Sequence, residues 1–410
     1  ASPAASEGLA NSAPHRKIAA YAGYLGLVLL LSVIFHNRLI GMNDLYARWH
    51  GTREFVLHRL NPYGAEVSQQ IRSAFYGEGA EKVTDEQRFA YPAYVILILW
   101  PLAYVSFPTA RLIALPWLIA ALAGSILGAM RLVNWPQSLK TRLTVLAAAM
   151  LSAPAVANIR LEQLSNLSAF FLMAGFFCLS KSRYALAGIL MALGTIKPHM
   201  ALLPAMWFLF WTANNWHKYR FALFDFALSM ILLVTGATVL LPGWIVDFVG
   251  GVRAYWAYTG HDSLVTMVLG PFVGLPLTAV LLLFVFGLGW SARKADAQSA
   301  EFAQTSVLIF ALPALVVPTL GALHHQIMLL PLALLFLQRT ATATVPVRFG
   351  FRMMMALWTA LGIAHLLGSL PSMTVQMLVG LGIPFVLLCG ILFLISQELP
   401  RRWIVFAAKG

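Results

Sequence analysis

The sequence predicts an all-α polytopic membrane protein of about twelve transmembrane helices, with a long first external loop carrying short surface helices. Three observations carry that prediction. Only 10% of the 410 residues are charged, where a soluble domain carries about 25%. Hydrophobic residues make up 60%, and mean hydropathy is +0.77. The apolar residues also fall in runs, and about 20 of them in a helix cross about 30 Å of hydrocarbon. These figures exclude a soluble enzyme, a disulfide scaffold and a disordered chain. Cys178 and Cys389 each sit in an apolar run, with no zinc or redox spacing, and read as small hydrophobes.

The first run, Ile18 to Phe35, follows a polar tail ending in His15, Arg16 and Lys17. It lacks a small-x-small cleavage site, because His36, Asn37 and Arg38 follow directly. It reads as a retained signal anchor with the tail inside. The next segment, Arg38 to Ala90, holds seven Lys/Arg and seven Asp/Glu. It is too polar for lipid and too long for a hairpin turn, so it is expected to be an external loop.

Eleven further runs follow. They are Ala110 to Met130, Leu143 to Val156, Leu164 to Leu179, Tyr184 to Ile196, Met200 to Thr212, Phe221 to Leu241, Phe272 to Trp290, Phe302 to Leu320, Ile327 to Leu337, Met353 to Leu370 and Val375 to Ser396. Their connecting loops sort by charge. One set holds Arg131, Lys140 and Arg142; Lys181 and Arg183; Lys218 and Arg220; Arg293 and Lys294; Arg339 and Arg348; Arg401 and Arg402. The alternate set, including Asn158 to Gln163, Lys197 to His199 and Pro242 to Ser263, is poor in Lys and Arg. The positive-inside rule makes the basic set cytoplasmic, and both termini with it. The net charge of +13 is thereby spent on orientation and anionic lipid, not on nucleic acid. The run Tyr91 to Tyr104 would reverse this order if it spanned. It is short and holds Pro92 and Pro101, so residues 91–106 are expected to be re-entrant or interfacial.

The charges left on the external face form a small group. Asp44 follows the first span; Arg160, Glu162, Gln163 and Asn166 share one turn. Lys197 sits at a break before Pro198; His261, Asp262 and Ser263 end another loop, and His324 and His325 begin a span. Each has an ordinary structural reading. Asp44 fits a helix N-cap, Lys197 fits a snorkelling cation, Arg160 and Glu162 fit a mutual pair, and the histidines fit interfacial tips. However, breaks at membrane depth occur where protein or water covers them, often at binding sites. No Walker A loop, Asp-x-Asp, Gly-x-Ser-x-Gly or His-Glu-x-x-His is present.

Four passages resemble glycosyltransferase family 87, the polyprenol-phosphate-mannose-dependent α-mannosyltransferases of the membrane-embedded C superfamily. They are Asp44-Leu-Tyr46-Ala47 with Leu60-Asn61-Pro62-Tyr63; Phe89-Ala-Tyr91-Pro92 leading to Pro101-Leu102; Glu162-Gln163-Leu-Ser-Asn166 with Ala187-Gly188 and Ile196-Lys197-Pro198; and His261-Asp262-Ser263-Leu264 with His324-His325. The resemblance runs from about residue 40 to about residue 340. Two departures bear on sugar and acceptor preference: the family usually shows Gly-Gln at Glu162-Gln163, and often Asn-Gln-Ser-Leu at His261 to Leu264.

The resemblance implies transfer of a sugar, mannose by preference, from a polyprenyl phosphate to a hydroxyl of a glycolipid or envelope polysaccharide. Transfer would be inverting and on the external face of a bacterial inner or plasma membrane. It makes Asp44 the catalytic base. Lys197, with Arg160 or His325, would bind the donor phosphate, because cations stabilise the charge that develops there. Glu162, Gln163, Asn166, His261, Asp262 and His324 are candidates for sugar or acceptor contacts, and Tyr63, Tyr91, Trp256 or Tyr258 for stacking. No cofactor and no metal are expected. The partners expected are membrane lipid, the donor and the acceptor. The matching division is a tail, 1–17; a catalytic module, 18–220, with loop 38–90 and segment 91–106; a second module, 221–396; and a tail, 397–410.

The chief rival is a lipid or solute transporter, which would use Arg111, Asp225 or His365 in or beside spans. The absence of a two-fold hydropathy repeat counts against it. A non-catalytic scaffold would give no reason for acid and cation to collect on one face.

Overall fold

The computed structural model describes residues 3–39, 43–77, 87–135, 138–259, 262–318, 323–339, 345–368, 380–384, 386–387 and 389–390. Regular structure among them is helical. The principal α-helices are α1 (Pro3–His36), α2 (Asp44–His58), α3 (Ala65–Tyr76), α4 (Val95–Leu99), α5 (Phe107–Leu132), α6 (Leu139–Met150), α7 (Ala153–Arg160), α8 (Ser165–Ser180) and α9 (Tyr184–Gly194). They continue as α10 (Pro198–Asn214), α11 (Trp216–Leu240), α12 (Trp244–Thr259), α13 (Leu264–Ser291), α14 (Ala300–Ala311), α15 (Pro313–Val316), α16 (Leu330–Arg339) and α17 (Val345–Leu367). Tighter 3₁₀ turns cover Trp100–Tyr104, Ala292–Lys294 and Leu323–Leu329.

The helix starts follow local chemistry. Asn43, Ser138, Ser263 and Ser299 cap α2, α6, α13 and α14 by accepting from backbone N–H groups one turn in. Proline opens α5, α7, α10 and α15, where its missing N–H costs nothing.

Lipid is the only solvent that fits the outer surface. In α11 and α13, the most apolar stretches are 6% and 11% buried, and Phe272 is 94% exposed. A helix that is hydrophobic all round and yet uncovered belongs in hydrocarbon. By contrast α5 is mostly buried and packs against α1 and α8 at the centre of the main core.

Among the described residues, five helices are long and apolar enough to cross a membrane, α1, α5, α11, α13 and α17, or six if α6 and α7 form one span bent by 61°. This is fewer than the twelve expected. Hydropathy counts apolar runs and does not register where they break. The runs at Leu164, Tyr184 and Phe302 form shorter helices. The final run, from Val375, lies largely outside the described residues. The stretch Pro242 to Ser263, expected as a loop, contains the 16-residue helix α12.

The segment expected as the first external loop contains two helices, α2 and α3. Behind them, α4 and the 3₁₀ turn Trp100–Tyr104 together span under about 20 Å, too short to cross. Side chains of α2 cap this broken segment. Trp49 Nε1 donates to the Leu102 carbonyl at 2.9 Å, and Arg53 donates to those of Ala103 at 2.7 Å and Val105 at 3.2 Å. Carbonyls at the end of a short helix need such partners when water is scarce. A second core cluster, with Leu45, Phe89, Tyr94, Ile96 and Ile196, holds the assembly against the start of α5.

Candidate active site

Three turns meet over this second core: the start of α2, the turn between α7 and α8, and the break before α10. Asn43 caps α2 through Oδ1, 3.1 Å from the Leu45 N–H, and its amide nitrogen donates to Glu162. Arg111, near the start of α5, donates Nε to the same Glu162 oxygen at 2.8 Å. The Glu162 side chain is fully buried. Burial pushes its carboxyl up, and the bonds from Asn43 and Arg111 oppose that shift. Its φ of 51° lies in the left-handed region, which a glycine reaches more easily.

The next residue, Gln163, joins two opposite charges. Its amide nitrogen donates to Asp44, and its Oε1 accepts from Lys197 Nζ at 2.8 Å. Lys197 also donates to Ser165 Oγ at 2.6 Å and stands 3.4 Å from His325 Nε2. At 4% exposure the ammonium is out of water, which costs several kcal/mol unless such partners surround it. Pro198 keeps Lys197 out of the helix, at φ −118° and ψ 87°, so that it forms the N-cap of α10.

Asp44 is the more accessible carboxylate, with its side chain 21% exposed. Arg48, one turn on along α2, approaches it at 3.4 Å and also lies 4.9 Å above the Tyr91 ring. Lys197 stands 5.6 Å from the same ring. Tyr63 donates to the Tyr91 carbonyl at 2.5 Å, tying the connection between α2 and α3 to the cluster. Burial pushes the Tyr63 hydroxyl pKa up, and the nearby Asp247 carboxylate adds to the shift. The rings of His199 and His324 lie 5.7 Å and 4.1 Å from that of His325. Asn166 is fully buried, and neither end of its amide has a hydrogen-bond partner among the described residues.

Asp44, Glu162, Gln163, Lys197, His325, His324, Tyr63 and Tyr91 therefore fall in one connected cluster, with Asn166 in the adjoining first turn of α8. Other predicted residues do not join it. Arg160 does not pair with Glu162, which takes Arg111 instead. Its guanidinium donates to the carbonyls of Arg38 at 3.0 Å and His365 at 2.9 Å. Asp262 is exposed beside the α13 cap, and Trp256 is 43% exposed. His261 and the Tyr258 side chain lie outside the described residues.

The cluster also contains residues that were not among the predicted site. Arg48 had a readable signal, since a cation four residues after Asp44 shares its helix face. Arg111 was visible only as a charge beside a span. Asn43, Ser165 and His199 carried no signal of their own. Among the described residues, no three His, Cys, Asp or Glu side chains are grouped to hold a metal ion.

A buried cation held beside a carboxylate at one surface of an apolar helical protein suits an anionic leaving group and a deprotonated nucleophile. The family comparison agrees: residues 89–319 match the model of glycosyltransferase family 87. The chain belongs to that family. This glycosyltransferase is accordingly a multi-pass membrane protein. Neither the curated proteins nor the solved structures contain a match to it.

Proposed function

We propose that this glycosyltransferase moves a sugar, mannose by preference, from a polyprenyl-phosphate donor to a hydroxyl of a glycolipid or envelope polysaccharide, with inversion. One observation carries the reading: the Asp44 carboxylate and the Lys197 ammonium occupy the two ends of the Gln163 amide. The acceptor hydroxyl attacks the anomeric carbon and gives its proton to Asp44. The new glycosidic bond forms as the bond from that carbon to the phosphate oxygen breaks. The phosphate leaves with the electron pair, and Lys197 and Arg48 stabilise its charge. His325 supports the Lys197 side of the site, and Asn166 offers both ends of its amide to sugar hydroxyls. Lys197 and Arg48 serve the phosphate, so the reading assigns no metal.

Of the two carboxylates, accessibility favours Asp44 as base, because the Glu162 side chain is sealed from solvent. Glu162 acts as a positioning residue. Where the family usually has glycine, this chain holds a glutamate whose carboxylate braces the α2 cap and Arg111. On the proposed topology the site faces the external side and the termini face the cytoplasm of a bacterial inner membrane. The partners are then membrane lipid, the lipid-linked donor and the glycan acceptor.

The purified protein is tested with several polyprenyl-phosphate sugars, followed by linkage analysis of the product. Release of free polyprenyl phosphate together with an inverted glycoside is expected. Movement of a lipid or solute without bond cleavage would favour the transporter reading instead.

A further inference from the structure

A cavity of about 300 Å³ lies at the far end of the helices that build the site. Its lining includes Met130, Arg131, Trp135, Arg142, Phe177 and Lys181. Arg111, bound to Glu162, and Arg131 are on the same helix, α5, about 30 Å apart along its axis at ~1.5 Å per residue. Helix α8 repeats the relation: Ser165 at its start binds Lys197, and Lys181 caps its end. The separation matches the thickness of bilayer hydrocarbon, so the cavity sits at headgroup depth on the opposite surface.

The cavity is built for an anion. Three cations line it, no carboxylate does, and no ion pair engages any of the three among the described residues. Arg142 Nε and the Trp135 indole nitrogen are buried without a hydrogen-bond partner among the described residues. Buried N–H groups call for an acceptor, and phosphate oxygens supply several. The floor is apolar: Lys181 stands 5.6 Å over the Phe177 ring, beside Met130. Basic residues that only set orientation can lie anywhere on that surface, as the exposed Lys140, Arg183 and Arg220 do. Arg131 and Lys181 are exposed as well, but together with the half-buried Arg142 they line one hollow.

We propose that this cavity binds the phosphate headgroup of an anionic phospholipid, at the surface opposite Asp44. Headgroup depth and the apolar floor favour a lipid over a free phosphate. The inference does not depend on which sugar the enzyme transfers.

The test uses the purified full-length chain and native mass spectrometry, after exchange into mixed phosphatidylglycerol and phosphatidylcholine. Selective retention of phosphatidylglycerol is expected. The R131Q/R142Q/K181Q variant should lower it at least about tenfold, whereas K140Q/R183Q/R220Q, which removes equal charge from positions outside the cavity, should keep it. Trp135→Phe, which deletes one N–H and keeps an aromatic ring, should lower retention a few-fold at an unchanged unfolding temperature. Equal loss in both triple variants, equal retention of phosphatidylcholine, or no effect of Trp135→Phe overturns the proposal. So does displacement of the lipid by millimolar inorganic phosphate, which would identify a free-phosphate site.

Discussion

Lys197 reaches Asp44 through a single side chain: Gln163 accepts from the ammonium at 2.8 Å and donates to the carboxylate. Two opposite charges fix the direction of that amide, since an ammonium has no acceptor and a carboxylate has no donor. Acid, amide and cation come from α2, the α7–α8 turn and the start of α10, so their meeting depends on three separate backbone junctions. Each member of that arrangement can be removed in turn.

Asp44→Asn is expected to leave the protein folded and able to bind donor while lowering kcat by about 10² to 10⁴, the usual contribution of a positioned base. Donor binding and turnover are measured separately on the same preparation. Full activity in this variant would remove Asp44 from the base role.

Lys197→Ala deletes three contacts, to Gln163, Ser165 and His325. Charge-assisted hydrogen bonds are worth about 1.5–3 kcal/mol, so a loss of about 10- to 100-fold in kcat/KM for donor is expected. The acceptor KM should change less. A defect confined to the acceptor would place the phosphate elsewhere.

Glu162→Ala leaves Arg111 without its carboxylate and the Asn43 cap without its brace. Breaking such a buried pair costs about 3 kcal/mol, read as a lower unfolding free energy. A double-mutant cycle with Arg111→Met separates pairing from cavity formation. Glu162→Gln keeps the shape and a hydrogen-bond acceptor but weakens the bond to Arg111. As a positioning change it should lower kcat while leaving donor KM near its original value.

Gly188 packs α9 directly against α11. A Cβ there would collide with the Ala222 carbonyl and come within 2.7 Å of the Phe226 nitrogen, both backbone atoms that side-chain rotation cannot clear. Gly188→Ala is expected to destabilise the protein by about 1–3 kcal/mol, the usual cost of overpacking, measured by thermal unfolding in detergent. An unchanged transition would mean that the two helices separate at little cost.

Much of the site is legible in the sequence. Asp44, Gln163, Lys197 and Tyr91 stand in passages that resemble the family, and Pro198 marks the break that holds Lys197 out of its helix. Arg111 is not legible as a partner of Glu162, because 51 residues separate them and Arg160 stands two residues away. The nearer cation turns to the backbone carbonyls of Arg38 and His365, which only the packing of α7 brings close.

Composition and apolar runs by themselves determined that this is a helical membrane protein, because transfer into hydrocarbon depends on the summed apolarity of a segment. Family-like passages pointed to the chemistry. The tertiary structure decided where the runs bend or stop and which arginine meets Glu162. It also showed that Asp44 and Lys197 share one amide. Those outcomes depend on contacts between segments far apart in the chain, where shape and hydrogen-bond satisfaction, rather than local hydropathy, select the partner.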